Sequence, residues 1–151
     1  GFFQHGHTHQ GHPTACAAGI AVLQTMLEQN LPEQVKEKGS RLLQALQQQF
    51  AEHPNVGDVR GRGLFLGIEL VQDKQTKEPL NPNFNLPEQI RYTAMQHGLL
   101  CYPMGGTIDG RRGHHVLLAP PFIINDAELE LIVERLSSTL NAILPALDQA
   151  A

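Results

Sequence analysis

A chain of 151 residues, 41% hydrophobic and 17% charged, is long enough to bury a core and too apolar to remain disordered. Its net charge of −4 excludes a general nucleic-acid-binding surface. No apolar run approaches the roughly 20 residues of a membrane-spanning helix, and no basic stretch leads into an apolar one as in a signal peptide. The two cysteines, Cys16 and Cys101, are far apart and in no C-x-x-C spacing. Both sit among apolar neighbours, so they are expected to be reduced, buried thiols of a cytoplasmic protein.

The first sixteen residues form a polar loop punctuated by Gly6 and Gly11 that runs into Pro13 and an alanine-rich helix. Proline suits the first helical position because the N–H it lacks would have no partner there. Residues 6–12 therefore precede a helix N-terminus, where unpaired N–H groups and the positive end of the helix dipole favour an anion. Thr8 is the hydroxyl in this stretch. Spacing alone makes it a helix-entry residue that satisfies local backbone.

The first helix is predicted over residues 13–29. Ile20, Leu23 and Leu27 share one stripe and Ala18, Val22 and Met26 the next, so the helix is expected to be covered on most sides. Asn30-Leu31-Pro32 breaks it. A second helix follows over residues 32–51, with Val35, Gly39, Leu42, Leu46 and Phe50 on one face. Residues 56–71 read as strand–turn–strand or one long kinked strand: Leu64, Leu66, Ile68 and Leu70 alternate among closely spaced glycines. Arg60, Arg62 and Glu69 are expected in structural ion pairs or strand-end contacts.

Residues 73–85 are a polar loop. Asn85-x-x-Glu88 with Pro87 signals a helix start, and Gly98 its stop. A strand over 99–103, a glycine-rich loop over 104–113 carrying Arg111 and Arg112, and a strand over 115–119 follow. Tyr102 and Phe122 are expected in the core. Asn125-x-x-Glu128 then opens a last helix with a continuous stripe from Leu129 through Ile132, Val133, Leu136, Leu140, Ile143 and Leu144 to Leu147. The order helix, helix, strands, helix, strand, strand, helix is α+β: a small, mostly antiparallel sheet packed against helices.

His5, His7, His9 and His12 fall within eight residues, and such spacing can chelate zinc, copper or nickel. No carboxylate or thiolate completes an obvious set, and a physiological metal site is not expected.

Three strings carry a family resemblance. His5-Gly6-x-Thr8-x-x-Gly11-His12-Pro13-x-Ala15-Cys16-Ala17-Ala18 resembles the H-G-x-T-[YF]-x-G-[HN]-P-x-A-C-A-A segment of class III pyridoxal-phosphate aminotransferases, departing at His9, where the family has an aromatic. Val59-Arg60-Gly61-x-Gly63-Leu64-x-x-Gly67-Ile68-Glu69-Leu70 resembles the segment that starts their small C-terminal domain. Ala119-Pro120-Pro121-Phe122 is similar to the turn before their last helix.

The resemblance implies a fold-type I enzyme that moves an amino group from an amine or amino-acid donor to a 2-oxo acid, as a homodimer with pyridoxal 5′-phosphate. It implies that Thr8 contacts the phosphate of the partner subunit's cofactor. It also implies that an arginine near Arg111 and Arg112 takes the substrate carboxylate; which of the two is open. Residues 1–30 would be the end of the large domain and a linking helix, and 31–151 the small domain. The chain begins without Met inside a family motif and reads as a C-terminal portion lacking an N-terminal large domain. Its lysines, Lys36, Lys38, Lys74 and Lys77, do not lie in the family's Schiff-base context, so no catalytic lysine is present and the chain alone is expected to be inactive. A non-catalytic binding module and a histidine-rich metal-binding protein are the alternatives.

Overall fold

A computed structural model describes residues 1–148, with side chains described through residue 144. Four helices, α1 (Pro13–Glu28), α2 (Leu31–Gln49), α3 (Leu86–Gln96) and α4 (Asp126–Asp148), accompany four strands, β1 (Val56–Arg62), β2 (Phe65–Leu70), β3 (Tyr102–Gly105) and β4 (His114–Leu118). The sheet is antiparallel throughout, in the order β1-β2-β4-β3. This is the α+β architecture expected from the pattern.

The sheet has two unlike faces because successive strand residues point opposite ways. Leu66, Ile68, Leu70, Val116 and Leu118 point inward against α2, α3 and α4, and each is 3% exposed or less. They meet Leu42, Leu46 and Phe50 of α2, Leu86 and Ile90 of α3, and Leu136, Leu140 and Leu144 of α4. The α4 stripe holds as far as it is described; the side chain of Leu147 lies outside the described residues. Phe65, Glu69, His115, Leu117, Tyr102 and Met104 lie on the opposite face.

Helix α2 sits so close to the β1–β2 turn that a Cβ on Gly39 would lie 2.2 Å from the Gly63 carbonyl oxygen. A side chain there would separate helix and hairpin. Gly98 ends α3 with φ +75°, and its carbonyl accepts from Arg135 Nη1 at 2.6 Å, which ties the end of α3 to α4.

Several expectations are corrected. Within the described residues none of α1 is buried, and Cys16 on it is exposed. The apolar stripes are there, but within the described chain only Met26 among them is partly covered. Cys101 is half-buried, and burial pushes its thiol up to about 11. Tyr102 is 60% and Phe122 43% exposed, not core: Tyr102 faces outward on the edge strand β3, and Phe122 belongs to the turn before α4. Strand β3 begins at Tyr102 rather than Leu99, because pairing starts only opposite Leu117. Asn85 does not cap α3 with its side chain; it is in the left-handed region at φ 47°, where it also ends the 3-10 turn Pro82–Phe84. At α4 the same motif closes fully: Asn125 Oδ1 accepts from Glu128 N and Glu128 Oε2 from Asn125 N, both at 2.9 Å.

Candidate functional site

Thr8 lies in a turn made by Gln10 N donating to His7 O (2.9 Å) and His12 N to His9 O (3.1 Å). The N-terminus of α1 follows directly. It has Pro13 in its first turn, no side-chain cap and no acidic residue there. Among the described residues the Thr8 hydroxyl makes no hydrogen bond and stays exposed. An uncapped N-terminus with a hydroxyl beside it suits a phosphate. The neighbouring histidines are in ring contact: His5 and His7 are tilted at 44° with ring centroids 6.4 Å apart, and His9 and His12 meet edge to face with centroids 5.9 Å apart. Among the described residues no three His, Cys, Asp or Glu side chains converge on a metal position.

The loop between β3 and β4 holds Arg111 and Arg112 and is folded on itself. Gly110 N donates to Gly106 O (2.9 Å) and Ile108 N to Arg112 O (3.0 Å). Its organiser is Asp109, a residue that neither motif nor composition singles out. Asp109 Oδ1 accepts from the backbone N–H of Arg111 (3.0 Å) and of Arg112 (2.7 Å), and Oδ2 from Arg112 Nε (2.8 Å). These bonds, led by the Arg112 backbone N–H, hold the Asp109 carboxyl at about 2. The pair raises the Arg112 guanidinium in turn, with Glu78 adding to the field. Among the described residues the Arg111 guanidinium has no hydrogen bond or ion pair. A local signal for Asp109 exists all the same: aspartate two and three residues before an N–H is the Asx-turn pattern.

No hydrogen bond or ring contact among the described residues joins the Thr8 turn to this loop, so the chain does not bring its two candidate stretches together. The lysines are all engaged locally. Lys36 Nζ is 3.1 Å from Glu33 Oε1, and Lys38 Nζ 3.1 Å from Gln34 Oε1. Lys74 Nζ donates to the carbonyls of Phe50 and Ala51 at the end of α2, and Lys77 Nζ to the Gly57 carbonyl.

On the outer sheet face Arg60 Nη1 pairs with Asp58 Oδ2 (2.8 Å) and Glu69 Oε2 (3.0 Å), the structural pairing expected of Arg60 and Glu69. At the base of the Arg111 loop His114 is 4% exposed, and its Nδ1 has no partner among the described residues. Burial lowers its pKa. An apolar groove of about 780 Å³ lies between the sheet and α4, with Phe65, Leu100, Tyr102, Leu117 and Leu131 among its walls.

A family model described as aminotransferase class III matches residues 2–140. The chain belongs to the class III aminotransferases. This class III chain is 45% identical over 147 residues to an uncharacterized aminotransferase of Schizosaccharomyces pombe, covering 97% of the chain and 31% of that protein. It is 32% identical over 133 residues to gamma aminobutyrate transaminase 2 of Solanum lycopersicum, covering 88% and 27%. Among solved structures, it superposes on an aminotransferase of Bacillus anthracis with a TM-score of 0.83 at 37% identity, covering 94% of the chain and 31% of the other. For an (S)-enantioselective omega-transaminase of Thermomicrobium roseum the values are 0.81 and 34%, with 95% and 30% covered. The chain thus spans just under a third of the length of the S. pombe and B. anthracis proteins. Among the described residues no helix is long and apolar enough to cross a membrane.

Proposed function

We propose that this chain is the C-terminal portion of a pyridoxal-phosphate-dependent aminotransferase. Residues 1–30 would be the end of its large domain and a linking helix, and residues 31–151 its small domain. The whole enzyme, a cytoplasmic homodimer, transfers an amino group from an amine or amino-acid donor to a 2-oxo acid. The match of residues 2–140 to the class III family carries this reading.

The residues present fit the cofactor's phosphate. The Thr8 hydroxyl is unpaired among the described residues, and the N-terminus of α1 offers backbone donors with no acidic side chain in its first turn to repel an anion. Thr8 would donate to a phosphate oxygen of the partner subunit's cofactor. When bound, the cofactor supplies the electron sink for the substrate carbanion. The chain's own contribution is binding and orientation. Thr8 and the start of α1 hold the phosphate, and one of the two guanidinium groups, that of Arg111 or of Arg112, meets the substrate carboxylate. The four lysines lie outside the family's Schiff-base context and each ammonium has a local partner, which supports the reading that the chain alone would not transaminate.

The test is an absorbance spectrum with pyridoxal phosphate, taken on the full reading frame and on the 151-residue chain in parallel. The long form should show a visible band from bound cofactor that bleaches when an amine donor is added, and the short form should show neither. A full-length protein that takes up no cofactor would refute the reading.

A further inference from the structure

We propose that Asp109 is a positioning residue that holds Arg112 by its Nε edge and presents the Nη edge to a substrate carboxylate, leaving Arg111 as an unpaired charge that supplies field rather than contact. This rests on the aminotransferase reading above and selects between two arginines that sequence leaves equivalent.

Three hydrogen bonds on one carboxylate carry the inference. Oδ1 gathers the N–H groups of Arg111 and Arg112, which fixes the backbone from which both side chains leave. Oδ2 takes Arg112 Nε at 2.8 Å, which fixes the guanidinium plane. Neither Nη atom of Arg112 is used in that bond. The two Nη groups form a fork that matches a carboxylate in two parallel hydrogen bonds.

The loop backbone reinforces the arrangement. Arg112 O accepts from Ile108 N at 3.0 Å, and Gly106 O from Gly110 N at 2.9 Å. Gly113 closes the loop at φ +89°, where a Cβ would lie 2.6 Å from Thr107 Oγ1. Arg112 has therefore lost much of its rotamer freedom before any ligand arrives. A free arginine must lose it on binding, which is worth up to about thirtyfold in affinity. Arg111 lacks any such tether among the described residues.

Charge fits the same division. Asp109 balances Arg112, but its Oδ1 is already turned to two peptide N–H groups. Arg111 leaves the loop with a net positive charge at its tip. Such a charge attracts a carboxylate at a distance, and salt screens it. A two-point contact is screened much less.

The experiment uses the full-length enzyme. A panel of donors identifies the best carboxylate-bearing amine, which is paired with the amine carrying a methyl group in place of that carboxylate. Arg112→Gln should raise KM for the carboxylate donor by at least about thirtyfold, with the methyl analogue unchanged within about threefold. Asp109→Ala should raise it roughly five- to tenfold for the carboxylate donor alone, and Asp109→Glu should restore part of the loss. Arg111→Gln should raise it only about two- to fivefold, and the difference should vanish in molar salt. Calorimetric affinity for a non-reactive carboxylic acid analogue should follow the same order. A larger loss in Arg111→Gln than in Arg112→Gln overturns the proposal. So does an Asp109→Ala effect equal for both donors, which would mark Asp109 as merely structural. Wild-type enzyme that turns over no donor of the panel refutes the aminotransferase reading, and this inference with it.

Discussion

Replacing Gly39 by alanine tests how α2 is seated. In an ordinary helix interior Gly→Ala stabilises by about 1 kcal/mol, because glycine loses more backbone entropy on folding. Here the added Cβ would lie 2.2 Å from Gly63 O, 2.3 Å from its carbonyl carbon and 2.6 Å from its Cα, well inside the 3.4 Å limit of ordinary contact. All three atoms are backbone, so no side chain can rotate away and the helix must lift from the β1–β2 turn. Leu42 and Leu46, 1% and 0% exposed, share the helix face that lifts. A buried leucine makes about 40–60 atom contacts, and a gap of half an ångström to one ångström forfeits roughly a quarter to a half of each well. Two leucines losing about a quarter of theirs give about 3 kcal/mol, offset by about 1 kcal/mol of helix propensity. The expected net loss is about 2 kcal/mol, or a Tm lower by about 4–8 °C for a domain of this size. Thermal denaturation followed by circular dichroism measures it. Gly19→Ala in α1 is the control, because nothing lies within 4 Å of its Cβ position and the same change should raise stability. A Gly39→Ala protein as stable as wild type would refute the account of α2 packing.

Asn125→Ala removes one half of the capping box at α4 and should cost about 1 kcal/mol in thermal or urea denaturation. Thr8→Ala in the full-length enzyme should raise the dissociation constant for pyridoxal phosphate roughly 10- to 100-fold, the worth of a hydrogen bond to a charged group, read by equilibrium titration of the bound-cofactor absorbance; an unchanged constant would remove Thr8 from the phosphate site. Stability should fall with pH in two stages. Burial lowers the His114 pKa, so above about 6.5 the imidazole is neutral in both states, while below it the unfolded chain binds a proton that the native one resists; loss begins there and should be absent in His114→Leu. The second stage is Asp109: its carboxyl sits at about 2 when folded, so the stability it contributes is complete above about 4 and disappears as pH falls from 4 to 2; Asp109→Asn should flatten that limb of a Tm–pH curve.

The sheet was legible in the sequence because its inner face obeys a rule that needs only local information. Leu66, Ile68 and Leu70 alternate at period two and are all buried, and the α4 stripe at period 3.6 behaves likewise. Features that depend on a neighbour were less legible. Asn85-x-x-Glu88 and Asn125-x-x-Glu128 are the same motif, yet only the second forms a capping box. Asn85 must also end the turn Pro82–Phe84, and the left-handed backbone this requires takes its side chain off the helix N–H groups. Strand β3 starts three residues late because a strand exists only where a partner pairs with it, and β4 faces it from Tyr102 onward. In the candidate site, the resemblance is what proposes Thr8 and the two arginines. Asp109 carries only the Asx-turn spacing, and its importance lies in three bonds that exist only once the loop has closed.

Helix α1 shows the same dependence on neighbours at the largest scale. Its stripes predict a covered helix, yet Ile20, Val22, Leu23 and Leu27 are 57–79% exposed. Burying such a side chain stabilises by about 1.5–3 kcal/mol, so these four represent several kcal/mol that the described chain does not use, a sum comparable with the whole stability of a typical domain. The contrast with α2 is instructive. That helix is the more polar of the two: Glu33, Lys36, Glu37, Lys38 and Arg41 lie along it, whereas Glu28 is the sole charged residue of α1. Yet α2 buries Leu31, Leu42 and Leu46. Apolar periodicity therefore describes the assembled protein, not the segment in isolation. Where a fold leaves a stripe uncovered, the excess points to surface that a further part of the assembly covers. In α1 that surface runs directly from the Thr8 turn. The uncovered helix and Thr8, proposed above as a phosphate ligand, thus lie in one continuous stretch, which supports the proposal that this segment works against a large domain and a partner subunit.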